Sequence, residues 1–173
     1  MLFRSIFVTF RLHGSLPRNR YFAEEGASQG HVFAAMDRLL DRSRSGPFYL
    51  RQPEVAQMVC EAIEDGQERF SRYKLHSFVV MPNHVHMLVT SLVEPVSWLR
   101  GLKGFTGNRA TRLFGIPEPF WQDESFDRLV RDGSEFGRIT DYIANNPVRA
   151  GLAATPEEFP WSSLGRERLR NGG

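Results

Sequence analysis

The chain has 173 residues, with 22 Lys+Arg against 20 Asp+Glu, a net charge of +2 and one cysteine. A chain of that length can bury about two thirds of its unfolded surface in one core, so it needs neither disulfides nor a structural metal, and a single thiol excludes a disulfide framework. The apolar opening MLFRSIFVTFRLHG is broken by Arg4 and Arg11, so a secretion signal and a membrane span are not expected there, and the cytoplasm is the expected compartment.

The first element predicted is a strand over FVTFRL, residues 7–12, which ends at the turn signal HGSLP. Residues 14–30 lack periodicity. HVFAAMDRLLDR then carries Phe33, Met36, Leu39 and Leu40 at helical spacing, as a helix inserted in a long connection. PEVAQMVCEAIEDGQERF reads as a second helix that starts at Pro53 and has Val55, Val59, Ala62 and Ile63 on one face. YKLHSFVVM and HVHMLVT are strand-like runs with Pro82 and Asn83 between them as a tight turn.

A third helix follows Pro95, with Trp98, Leu99, Leu102, Phe105 and Leu113 on one side and Gly101, Gly104 and Gly107 weakening it. PFWQDESFDRLVR reads as strand. GSEFGRITDYIANNP reads as a helix capped by Ser134 and stopped by Pro147. The tail is turn-rich and is expected to lack order from about residue 165. Strand, helix, strand, strand, helix, strand is the split βαβ, or ferredoxin-like, order. The expectation is one α+β domain over residues 1–173, an antiparallel sheet with helices packed on one face.

Two positions carry chemistry. In VVMPNHVHMLVT, His84 and His86 are two residues apart on a strand, so both point to one face about 7 Å apart while Val85, Met87 and Val89 point to the other. Two imidazoles make a partial shell for a divalent cation and leave positions open for substrate, although hydrogen-bonded histidines on a half-buried strand give the same spacing. In RITDYIANNPVRAG, Arg138, Tyr142 and Asn146 recur at four-residue steps beside the apolar face of Phe136, Ile139 and Ile143. A phenol beside a cation or a base can attack a phosphodiester, but on this segment alone a tyrosine with its hydroxyl in water and Asn146 as a cap before Pro147 is the better fit.

Taken in order, MPNHVHMLV, KGFTGNRATRLFG, PFWQDESFDRLVR, DYIANNPVRAGL and FPWSS closely resemble the REP-associated tyrosine transposases, single-tyrosine members of the HUH (His-hydrophobe-His) nucleases. The resemblance runs from about residue 3 to residue 163 and is loosest over residues 14–50. It implies metal-dependent cleavage and rejoining of single-stranded DNA near hairpins of palindromic repeats, through a 5′-phosphotyrosine intermediate. It further implies Mg²⁺ or Mn²⁺ on His84 and His86 with Asn146 completing the shell, Tyr142 as nucleophile, no nucleotide cofactor, and a monomer rather than a dimer.

Arg100, Lys103, Arg109 and Arg112 are then candidates for phosphate contacts, and Arg18, Arg20, Arg166, Arg168 and Arg170 for gripping a hairpin; a solvated surface explains each as well. Phe120 and Trp121 could stack on bases or pack in the core. The rival functions are a non-catalytic hairpin-binding protein derived from a transposase, and a metal phosphodiesterase with water as nucleophile.

Overall fold

A computed structural model describes residues 4–16 and 29–172. Its strands are Ser5–Leu12 (β1), Tyr73–Val80 (β2), His84–Ser91 (β3) and Trp121–Leu129 (β4), all antiparallel in the order β2-β3-β1-β4. Its helices are Gln29–Arg42 (α1), Pro53–Glu68 (α2), Pro95–Phe114 (α3), Gly133–Arg149 (α4) and Ser163–Arg170 (α5). The sheet order is that of the split βαβ pattern, and the α+β class is as the sequence implies.

Alternation along β3 divides the core. Val85, Met87 and Val89 join Val8, Phe10 and the apolar sides of α2 and α3 on one face. Leu88 joins Phe7 and Val79 on the other, beneath Ile139 and Ile143 of α4. One face therefore carries the expected helix layer. The structure adds a second layer, because the histidine side of β3 is covered too, and α4 lies on it.

The hairpin between β2 and β3 turns at Pro82 and Asn83 as expected, closed by the Met81 amide donating to the His84 carbonyl at 2.8 Å. The cap of α4 is Asp132, not Ser134: the Asp132 carboxylate accepts from the Glu135 amide at 2.8 Å, and Ser134 already lies inside the helix. Pro147 does not stop α4, which continues to Arg149. Its ring removes one amide donor in the last turn, where few bonds remain to be lost.

The C-terminal segment departs most from expectation. The Val80 amide donates to the Trp161 carbonyl at 2.8 Å and the Phe78 amide to Ser163 Oγ at 2.7 Å, so FPWSS covers the outer edge of β2. Ser162 caps α5 through the Gly165 amide at 3.1 Å, and Arg166 grips both Glu64 carboxylate oxygens at 2.7 Å. The tail expected without order from about residue 165 is thus a helix stapled to α2. No helix among the described residues is long and apolar enough to cross a membrane.

Candidate active site

The histidine face of β3 meets α1 and α4 at one end of the sheet. His84 and His86 are 0 % exposed, and their ring centroids lie 4.7 Å apart. Each Nδ1 has a fixed partner. His84 Nδ1 is 2.7 Å from Asn83 Oδ1, and His86 Nδ1 is 2.7 Å from Thr9 Oγ1 on the adjoining strand.

Asn83 sets the tautomer of His84. Its amide nitrogen donates to the Leu40 carbonyl at 3.0 Å, so its oxygen must be the atom that faces the ring. An oxygen acceptor there requires the proton on Nδ1. Burial lowers the pKa of His84 even though the neighbouring Asp37 acts the other way, which favours the neutral ring, and with its proton on Nδ1 that ring presents a lone pair at Nε2.

Both Nε2 atoms point at one carboxylate oxygen. Asp37 Oδ1, from α1, lies 2.9 Å from His86 Nε2 and 3.2 Å from His84 Nε2. Burial would raise the Asp37 pKa, but the pull of His86 and the other interactions with the two imidazoles outweigh it and hold the carboxyl well below the usual range. On the His84 side a lone pair therefore faces a carboxylate oxygen, an arrangement that repels unless a cation stands between them.

The donor set fits a divalent ion. Magnesium and first-row ions hold nitrogen and oxygen ligands at about 2.0–2.2 Å, so adjacent corners of an octahedral shell are about 3 Å apart. The Asp37–histidine spacings match. His84 Nε2 and both amide atoms of Asn146 are buried with no hydrogen-bond partner among the described residues. Orphaned buried groups of this kind are costly, and coordination would satisfy His84 Nε2 and the Asn146 oxygen, while the Asn146 NH2 group calls for an acceptor such as a phosphate oxygen. One turn beyond Asp37, Asp41 Oδ1 is 3.9 Å from His84 Nε2, and burial with the Asp37 charge pushes its carboxyl up to about 6 against the opposing pull of His84 and Arg149.

Tyr142 lies on the same side of the sheet. Its ring centroid is 5.7 Å from that of His86 and 6.2 Å from that of Phe7. The Arg149 guanidinium covers the ring, 4.2 Å from its centroid. Asn146 falls between Tyr142 and Arg149 along α4, on the same stripe, because residues four and seven apart return to one helix face.

Comparison with known proteins follows the same lines. No family model matches. A REP-associated tyrosine transposase of Escherichia coli K12 is 28 % identical over 103 residues, and a putative one of Haemophilus influenzae Rd is 26 % identical over 104. The matches span 57 % and 51 % of this chain and somewhat over half of those relatives' lengths, 58 % and 57 %. A solved REP-associated tyrosine transposase, bound to a REP hairpin, superposes over 97 % of this chain and 81 % of its own with a TM-score of 0.62 and 21 % identity. The chain is a sequence relative of the REP-associated tyrosine transposases.

Of the residues that the resemblance to these transposases singles out, His84, His86 and Tyr142 converge on one side of the sheet, and Asn146 is buried one turn beyond Tyr142. The basic residues of α3 do not join them. Arg100, Lys103, Arg109 and Arg112 belong to the helix layer on the opposite face. The Lys103 ammonium donates to the Gln122 and Asp123 carbonyls at 2.7 and 2.8 Å, which ties α3 to β4, and Arg109 lies over the Phe105 ring.

In the C-terminal helix, Arg166 and Arg170 pair with Glu64. Phe120 and Trp121 are buried, and Trp121 Nε1 donates to Thr106 at 2.8 Å, so both pack in the core. Arg18 and Arg20 lie outside the described residues.

Sequence reasoning missed Asp37. Its signal was present, since an acid at 37 interrupts the apolar stripe of Phe33, Met36 and Leu40 on α1. It also missed Arg149 and the orienting roles of Asn83 and Thr9.

Proposed function

We propose that this protein is a transposase-type nuclease that cleaves and rejoins single-stranded DNA beside palindromic hairpins, with Tyr142 as nucleophile and a divalent cation, Mg²⁺ or Mn²⁺, at Asp37, His84, His86 and Asn146. The observation that carries the proposal is the approach of the Tyr142 ring to His86, 5.7 Å between centroids, beside a buried Asp-His-His cluster. The hairpin partner is suggested by the relatives' names and by the REP hairpin bound to the structural neighbour.

When bound, the cation would supply charge stabilisation at the scissile phosphate. The protein's own groups do the rest. Asn83 and Thr9 hold the imidazoles with Nε2 directed at Asp37. Phe7 and Arg149 pack against the Tyr142 ring and restrict where the phenol can stand. The phenol oxygen attacks phosphorus in line, the bond from phosphorus to the 3′ oxygen breaks, and the phenol proton is lost as the departing oxygen gains one. The products are a 5′-phosphotyrosine and a free 3′-OH. Attack by another 3′-OH reverses the step, so bond energy is conserved without a nucleotide cofactor.

The test is incubation with labelled single-stranded hairpin DNA and Mn²⁺, followed by a denaturing gel. A covalent protein–DNA band is expected, absent in Tyr142→Phe and with chelator. Cleavage that survives Tyr142→Phe would mean that water is the nucleophile, and specific binding without cleavage would mean a hairpin-binding protein.

A further inference from the structure

We infer that Arg149 is a phosphate-binding residue of this site: its guanidinium receives the DNA phosphate seated beside the Tyr142 phenol. The inference rests on the reading of Tyr142 as nucleophile and adds a residue that neither the motifs nor the resemblance singled out.

Three observations carry it. Tyr142 and Arg149 are two turns apart on one stripe of α4, so the cation is delivered to the same place as the phenol. The planar Arg149 guanidinium stands over the Tyr142 ring, 4.2 Å from the centroid, so the phenol ring limits where that plane can move. The N–H groups run around the edge of that plane, and edge donors are what a phosphate accepts in a two-pronged contact.

The third observation is the partner that Arg149 has now. Nη2 stands 3.8 Å from Asp37 Oδ2, beyond hydrogen-bond range, and the side chain is 47 % exposed. At that separation no hydrogen bond joins the half-exposed guanidinium to the buried Asp37 carboxylate, so its N–H groups can turn to a phosphate without breaking one. Three other arginines of the sheet and α4 already have hydrogen-bond partners. Arg128 is bonded to Glu135, Arg138 donates to Ser134 at 2.6 Å, and Arg11 donates to Ser15 at 3.3 Å.

The experiment measures binding and not cleavage, so it separates this inference from the nucleophile reading. Full-length protein carrying Tyr142→Phe is titrated, in chelator, into a fluorescent single-stranded hairpin oligonucleotide across a salt series. Arg149→Gln is expected to weaken binding about tenfold at low salt and to make the slope of log K against log salt shallower by about 0.7, the share of one phosphate on a single strand. Arg149→Lys should keep the slope.

An unchanged slope in Arg149→Gln, with affinity within about twofold of the parent, overturns the inference. So does an Arg149→Lys chain that loses as much as Arg149→Gln, since packing on Tyr142 and not charge would then be its role. Circular dichroism checks the fold, and Arg149→Met replaces the glutamine variant if that one unfolds. A missing covalent band alongside the expected slope change would sink Tyr142 as nucleophile and leave Arg149 standing.

Discussion

Asn83 and His84 are neighbours in the chain and partners in space: the Asn83 amide, pinned by the Leu40 carbonyl, holds the His84 ring in the tautomer whose Nε2 faces Asp37. The turn that reverses the chain between β2 and β3 therefore also aims a candidate ligand. Asn83→Ala removes the acceptor at Nδ1 and frees the ring to rotate or to move its proton. Loss of such an orienting partner typically costs 10–100-fold in metal affinity, so a fall of about tenfold or more is expected in a calorimetric Mn²⁺ titration. Affinity equal to that of the parent would mean that His84 is held by burial alone.

Asp37 makes the opposite demands with and without an ion. In chelator its carboxylate faces the His84 lone pair at 3.2 Å, so Asp37→Asn, which offers an N–H donor, should leave the melting temperature unchanged or higher. With Mn²⁺ in excess the order should reverse. An ion at about 100 times its Kd stabilises the native state by about 2.7 kcal/mol, and the variant loses most of that with the charged ligand. Paired thermal melts with chelator and with Mn²⁺ make the measurement. A variant that melts lower than the parent in chelator and gains the same shift from Mn²⁺ would make Asp37 a structural partner of the histidines and not a ligand.

Gly66 and Tyr73 test the opposite core. The Tyr73 hydroxyl donates to the Ile63 carbonyl at 2.6 Å, and a Cβ on Gly66 would collide with that hydroxyl oxygen and the ring carbon that bears it. Gly66→Ala gains helix propensity of about 1 kcal/mol but must expel the buried phenol from its bond. The net is expected to be a loss of about 2 kcal/mol in urea denaturation. Gly66→Ala with Tyr73→Phe should recover little of it, because the ring carbon Cζ that phenylalanine keeps also falls inside contact distance of the new methyl group.

How far the sequence foretold this molecule depended on the range of the interactions involved. The sheet and its order were legible, because alternation in HVHMLVT and helical spacing in PEVAQMVCEAI are local signals. The histidine face was legible for the same reason. Which elements cover that face was not: α1 reaches it from a connection without periodicity, and only the tertiary path brings Asp37 of α1 against β3. Arg149 was missed because Pro147 reads as a helix stop, yet the helix carries two more residues beyond it. The tail was misjudged because its order comes from Glu64, about a hundred residues earlier in the chain, and from a strand edge that composition does not reveal.

That tail leads to a prediction about solubility. The outer edge of β2 is satisfied by Trp161 and Ser163, whose backbone and side chain accept the amides of Val80 and Phe78. Removing residues 161–173 would open a row of unpaired amides beside Phe78, Val79 and Val80, a short apolar edge ready to pair with another chain. The truncated protein is expected to aggregate at concentrations where the full chain stays monodisperse, as light scattering would report. Glu64→Gln is the milder probe, because it removes the charge that Arg166 and Arg170 share and leaves the strand cover in place. It should lower stability by about 1–2 kcal/mol through the half-buried Arg166 pair without causing aggregation. Aggregation of Glu64→Gln as severe as that of the truncation would mean that the ion pairs, and not the strand-edge bonds, keep the C-terminal segment docked.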